Sequence, residues 1–268
     1  MTHGLRACCI QWLPTPGAFD DNLEQGLALI DQAVELGVDL IVLPELWISG
    51  YDTARLATDI ADSAEALSGG RMDEVARRAQ RHGVWIVGGS IAETTASGIA
   101  NTAPVYDRHG ELRAVHRKHH LYPFTGEDVI FVPGDGVTTF EDDELGRVGI
   151  NVCFDGDFPA TVRSLSEAGV ELVLQPNAYE LEAAAYWDAW YPAQAMATGQ
   201  FWVMTNQCGV NPSGAILGAS KIIDPSGAIL AEGPRSDGTV TPEASIVVAP
   251  LVITEEVEQA RHFAALLH

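Results

Sequence analysis

Lysine is nearly absent from this chain. Of its 15 lysines and arginines only Lys118 and Lys221 are lysines, 37 residues are acidic, and the formal net charge is −22. A surface this acidic repels phosphate, which argues against nucleic acid and anionic membranes as partners and leaves small neutral or cationic ligands open. Cysteine is scarce too: Cys8, Cys9, Cys153 and Cys208 show no C-x-x-C spacing. A disulfide framework or metal scaffold is therefore not expected, and no cofactor is implied. No apolar run approaches the roughly 18 residues of a membrane span. The opening MTHGLRACCIQWLP lacks the basic start and long apolar stretch of a signal peptide, so the expected location is the cytoplasm.

What the chain does have is core-forming material. Its 268 residues are 47% hydrophobic and include six tryptophans, enough for one domain spanning 1–268. LRACCIQW reads as a buried strand, and PTPGAFDDN as a turn followed by a helix cap at Asp20, Asp21 or Asn22. Leu23, Leu27, Ile30, Ala33 and Val34 share one helical face, Gly37 suits a left-handed C-terminal cap, and VDLIVLP is a second buried strand. VARRAQRHG predicts a helix ending at Gly83, VWIVGGSIAE a buried strand, and NTAPVYDRHGELRAVHRK a hairpin turning at Asp107 to Gly110. From His119 to Gly136 the pattern is irregular and longer than an ordinary connection, which favours a functional loop.

One phrase recurs about half a chain apart: ELGVDLIVLPE at 35–45 and EAGVELVLQPN at 167–177. The repeat predicts two similar α-β halves related by a pseudo-twofold axis, with Glu45 and Asn177 at equivalent positions.

Three residue types carry potential chemistry. Cys153 lies between the strand-like RVGINV and DGDFPATVRSLSEAG, where Pro159 suits the first turn of a helix reaching Gly169. A strand-to-helix turn projects its side chain outward and leaves backbone N–H groups nearby, as in a nucleophile elbow; equally, a lone cysteine is a good small core residue. Glu45 closes LIVLP, where partial desolvation raises a carboxyl toward the working range of a base, although many strands end in a solvated acid. Lys118 opens the irregular loop, and its compact ammonium suits a developing oxyanion, or simply water. His116, His119 and His120 have helical metal-ligand spacing, but they flank a strand end with no further ligand pair, so no metal is assigned.

Taken in order, LIVLPELWISGY, HRKHHLYPFTGEDVIFVPGD and GINVCFDGDFPATVRSLSEAGVELVLQPNAY resemble the nitrilase superfamily of carbon-nitrogen hydrolases. The likeness continues through FWVMTNQCGVNPSGAILGASKIIDPSGAILAE and so covers nearly the whole chain. It implies an α/β fold of four layers, an α-β-β-α sandwich. It also implies Glu45 as general base and acid, Lys118 as oxyanion stabiliser, Cys153 as nucleophile, and Glu127 as a second glutamate placing substrate and water. The Phe154 N–H would complete the oxyanion site, and Lys118 with the helix start would favour the thiolate. Phe154 and Asp155 resemble the Cys-Tyr-Asp of the amidase and carbamoylase branches rather than the tryptophan and glutamate of true nitrilases.

The activity implied is hydrolysis of a small linear carboxamide to acid and ammonia through a thioester. An N-carbamoyl amino acid or amine hydrolase is the alternative, with a nitrilase or a non-catalytic binding protein further off. Trp47, Tyr51, Asn177, Tyr179 and Trp187 are candidate pocket residues. The resemblance also implies a homodimer or larger homo-oligomer. Thr198 and Gly199 replace a glutamate-asparagine pair common in the family, and with the short tail ending EQARHFAALLH the arm exchange and filament growth of longer relatives need not apply.

An acid surplus of this size predicts a melting temperature that climbs as salt is added, because screening relieves self-repulsion. A midpoint that stays flat from low to high salt would leave the surplus as solubilising charge.

Overall fold

Two β-sheets pack face to face in the computed structural model, which describes residues 4–253, 256–258 and 260. The first sheet runs in the order Ser245–Leu251, Leu5–Gln11, Leu40–Val42, Trp85–Val87, Gly98–Tyr106 and Ile91–Thr95, with Leu112–Arg117 also paired to Gly98–Tyr106. The second runs Ile229–Glu232, Lys221–Ile223, Phe201–Asn206, Leu172–Asn177, Gly146–Ile150 and Thr138–Asp142.

Three strands at the centre of each sheet are parallel and are joined through helices. Buried on both faces, they read as continuous apolar runs, and the period of two sorts their side chains. Leu40 and Val42, Leu172 and Leu174, and Ala7 and Cys9 point into the core between the sheets. Ile41, Cys8 and Ile10 point the other way, under the helices Phe19–Glu35 and Met72–His82. Val173 points under Pro159–Glu167 and Ala184–Thr198. The result is the α-β-β-α sandwich. Among the described residues no helix is long and apolar enough to cross a membrane.

The half-chain repeat has a direct structural counterpart. Leu40–Val42 and Leu172–Asn177 are the middle strands of the parallel trios, and their ends meet across the sandwich, where the Glu45 N–H donates to the Asn177 carbonyl at 3.3 Å. Gly37 and Gly83 adopt the left-handed conformation after their helices, and the hairpin turns at Asp107–Gly110 as its residues predict. The cap expected at Asp20, Asp21 or Asn22 is different. The helix starts at Phe19 after Ala18 with no side-chain cap, while the Asn22 side chain ties the preceding turn to Thr15 and Ile48. The helix that carries Thr198 ends there, with Gly199 in a left-handed cap. The tail ending EQARHFAALLH lies largely outside the described residues, so the expectation attached to it has no structural counterpart.

Leu174 is fully buried between the sheets. Leu174→Ala is expected to cost about 2–5 kcal/mol in urea unfolding, because the opposing sheet cannot collapse into the space left behind.

Candidate active site

The site forms where the ends of the two middle strands face each other. Glu45 follows Leu43 and Pro44 just beyond its strand and is completely buried. Its backbone is fixed on both sides, by the Asn177 carbonyl and by the Gln207 amide, which donates to its carbonyl at 2.7 Å. Leu46, the next residue, has φ 46°, and its N–H donates to Ser90 Oγ at 3.0 Å. Cys153 has φ 48°. Left-handed backbone is uncommon for residues with a Cβ, and here it falls beside Glu45 and at the cysteine itself, the strained turn expected of an elbow.

Lys118 enters from the end of the strand Leu112–Arg117, its backbone held by Asn101 on one side and Gly134 on the other. Only a glycine fits at 134: a Cβ there would sit 2.1 Å from the Arg117 carbonyl oxygen. The loop between folds back over the site and brings in Glu127. Lys118 Nζ lies 2.8 Å from Glu45 Oε1 and 2.7 Å from Glu127 Oε2, all three side chains being out of contact with solvent. Asn101 also donates to Glu45 Oε1 at 2.8 Å, while Tyr51 OH donates to Glu127 Oε1 at 2.7 Å and the Tyr122 N–H to Oε2 at 2.9 Å. Glu45 Oε2 has no hydrogen-bond partner although it is buried.

One ammonium thus faces two carboxylates away from water. Burial pushes the Glu45 carboxyl up, Lys118 pulls it down by less, and Glu127 adds to the rise. Burial alone would lower the Lys118 ammonium, but Glu127 and Glu45 more than reverse this and hold it well above the usual lysine range. The Cys153 thiol is pushed well up, first by burial and then by Glu45, with Lys118 opposing. Lys118 does pull toward the thiolate, as expected, but burial and Glu45 outweigh it at rest. Lys118 is neutralised by its two acids, a short 3₁₀ turn, Cys153–Asp157, precedes the α-helix, and the thiol keeps its proton until a base takes it.

Asp155 staples the cysteine turn to the lysine loop. Its Oδ1 accepts the N–H groups of His119 and His120, at 3.1 and 2.8 Å, and its Oδ2 accepts the Val152 N–H at 3.0 Å and faces His116 Nε2 at 2.9 Å. Although burial opposes it, bonding to His116 and His120 holds this carboxyl far below the usual range. His119 Nδ1 contacts the Gly134 carbonyl and His120 stacks on Phe158, so all three histidines hold the loop in place. The bracing role of Asp155 has a visible signal in the sequence, an acid two residues after the cysteine, which the family resemblance marks only as a sign of substrate branch.

A cavity of about 300 Å³ opens in front of Cys153. Tyr51, Tyr179 and Phe154 line it as expected, but Trp47 and Asn177 do not, nor does Trp187. Trp47 is core: it donates to the Gly88 carbonyl at 2.7 Å and packs edge-on against Trp12. Asn177 is spent on backbone carbonyls of Gln175 and Thr205, and Trp187 donates to Ala219. Tyr122, Phe124, Asp157, Glu180 and Tyr186 line the cavity instead. They come from the loop, the cysteine turn, the segment before the long helix and the first turn of that helix, and no periodicity marks them as a pocket wall.

The model for "Carbon-nitrogen hydrolase" matches residues 6–249. The chain belongs to the carbon-nitrogen hydrolase family. It is a hydrolase acting on carbon–nitrogen bonds other than peptide bonds. Among curated relatives, the 2-oxoglutaramate amidase of Bacillus subtilis is 31% identical over 240 residues, 89% of this chain and 90% of that protein. Saccharomyces cerevisiae Nit3, a member of branch 10 of the nitrilase superfamily, superposes with a TM-score of 0.85 at 23% identity, covering 98% of this chain and 95% of that one. An amidase from Nesterenkonia sp. AN1, solved as a mutant with acrylamide added at its active-site cysteine, gives 0.78 at 24% identity, covering 97% and 99%. The family and the sandwich expected from the sequence are both confirmed.

Asp155→Asn is expected to cost about 3 kcal/mol at neutral pH, since it breaks a buried, multiply bonded carboxylate. Because the folded-state pKa of Asp155 is depressed, its stabilisation is present in full above the ordinary carboxylate range and is lost as pH falls below it. Urea midpoints should therefore show a constant gap between parent and variant down to about pH 4, the ordinary aspartate value, and a narrowing gap below it.

Proposed function

We propose that this hydrolase is a cysteine-dependent amidase that converts a small linear carboxamide to the acid and ammonia through a thioester on Cys153. The observation that carries the reading is the buried Lys118 held between Glu45 and Glu127 beside a cysteine on a left-handed turn at the cavity wall. The amidase names of the relatives support it, as does the acrylamide adduct at the active-site cysteine of the Nesterenkonia amidase.

Attack on the carbonyl carbon requires the Cys153 proton to leave, and Glu45 accepts it through Oε2, the oxygen without a partner. Negative charge then grows on the carbonyl oxygen. A lysine has three N–H donors; two carboxylates engage Lys118, and the remaining donor is available for the oxyanion. The Phe154 N–H supplies a second donor, lying in the first turn of a short helix, where amides have no partner within the helix. Glu45 returns the proton to the departing nitrogen, and ammonia leaves. Water then opens the thioester, with Glu45 again the base and Glu127, anchored by Tyr51 and Tyr122, keeping Lys118 and the water in place.

Ammonia release from a panel of amides, carbamoyl amino acids and nitriles tests the reading, with amides expected to turn over and Cys153→Ala to be silent. Trapping an acyl adduct on Cys153 by mass spectrometry would locate the thioester, and turnover by Cys153→Ala would overturn the mechanism. Lys118→Met, with folding checked by circular dichroism, is expected to lower kcat by about a hundred- to a thousandfold. Because Glu45 is raised, kcat/KM should fall on the acid side at a pH above the ordinary glutamate range, where the base becomes protonated.

A further inference from the structure

We propose that the cavity in front of Cys153 takes amides whose far end carries an organic cation, such as an ammonium group, in preference to neutral amides, and turns away amides ending in a carboxylate. The proposal rests on the amidase reading and concerns the part of the substrate that does not react.

Two acids share the cavity with the cysteine. Asp157 closes the cysteine turn, Glu180 precedes the long helix, and both are partly exposed and line the cavity. Among the described residues lining the cavity there is no lysine, arginine or histidine. Lys118 is committed to Glu45 and Glu127. Asp157 is a built feature rather than a stray surface acid. Tyr191 OH donates to its Oδ1 at 2.8 Å, Tyr179 OH bonds the same oxygen, and the two hydroxyls lie 2.8 Å apart. Burial pushes the Asp157 carboxyl up, the bonds from Tyr179 and Tyr191 pull it back by less, and these donors fix the aim of a carboxyl that lines the cavity.

The remaining walls suit a cation for a separate reason. Tyr122 packs against Phe124 at 5.4 Å and against Phe154 at 5.0 Å between ring centroids, and Tyr186 faces the cavity too. Aromatic faces are electron-rich, and an ammonium brought among them regains part of what it loses in leaving water. A carboxylate in the same space would lose its hydration, find no counter-charge and meet two like charges. The formal charge of −22 acts in the same direction at long range, concentrating cations near the surface and thinning out anions. A volume of about 300 Å³ suits a short chain between amide and ammonium.

The test pairs substrates that differ only at the far end. Each ω-amino amide is matched by the isostere in which a methyl replaces the ammonium: 4-aminobutanamide with pentanamide, 5-aminopentanamide with hexanamide, and 6-aminohexanamide with heptanamide. Glutaramate supplies the carboxylate. For the best-fitting length, kcat/KM for the ammonium amide is expected to exceed that of its methyl partner by about tenfold or more, with glutaramate slowest. Asp157→Asn should bring the ammonium-to-methyl ratio toward one. An acid that only braces Tyr179 and Tyr191 would instead lower both rates together and leave the ratio unchanged. Glu180→Gln is the second variant and should lower the same ratio. Neutral amides turned over as well as or better than the ammonium amides, or glutaramate preferred, would overturn the inference while leaving the amidase reading standing. Release of ammonia from none of the seven compounds would overturn both.

Discussion

Everything at this site depends on one buried ammonium between two carboxylates. Lys118 cannot be removed from water without its acids, and the acids cannot be buried together without Lys118. Each of the three arrives on a different piece of chain: the end of a first-sheet strand, the end of a hairpin strand, and the loop that follows it. The trio therefore does what a metal ion does in other hydrolases, tying distant segments to one point with a fixed charge. Two negative charges against one positive leave the centre short of a proton, which is why burial raises Glu45 rather than leaving it an inert ion-pair partner.

The second constraint is the turn at Cys153. Its left-handed backbone costs free energy, of the order of 1–3 kcal/mol for such conformations, and the surroundings must hold it in place. Asp155 supplies much of that hold by gathering backbone donors from both the turn and the lysine loop. The residue that sets the nucleophile's geometry thus also sets where Lys118 begins its reach. Cysteine turn and lysine loop are one mechanical unit, and the cavity wall formed by Phe154 and Asp157 belongs to the same turn.

Much of this is legible in the sequence, and the reasons are specific. Parallel strands buried on both faces are largely apolar, so VDLIVLP and VELVLQP reveal the middle strands, and their likeness foretells that Glu45 and Asn177 are equivalent; that the two meet is seen only in the structure. Glycines after helices and Pro159 mark ends that backbone geometry dictates. Pocket walls follow no such rule. Trp47 and Asn177 look like wall residues because they flank the motifs, yet a tryptophan under a helix and an amide between two sheets are satisfied inside. Tyr122, Asp157 and Glu180 carry no mark of their own, because which side chains face a cavity depends on how loops from distant segments converge, and no local pattern records that.

The state of the thiol follows from the same electrostatics and bears on how the chemistry must run. In a site where a lone cation faces a cysteine, a standing thiolate forms and the base has little to do. Here Lys118 is matched by two acids, and burial disfavours a further anion, so the Cys153 proton stays on sulfur. Nucleophile and base must then act together: proton transfer to Glu45 is favourable only as the new sulfur–carbon bond moves negative charge onto the carbonyl oxygen, beside the donors that can hold it. A site built this way spends its electrostatic stabilisation on the transition state rather than on a resting anion. It also keeps the sulfur, at rest, in its less oxidisable form.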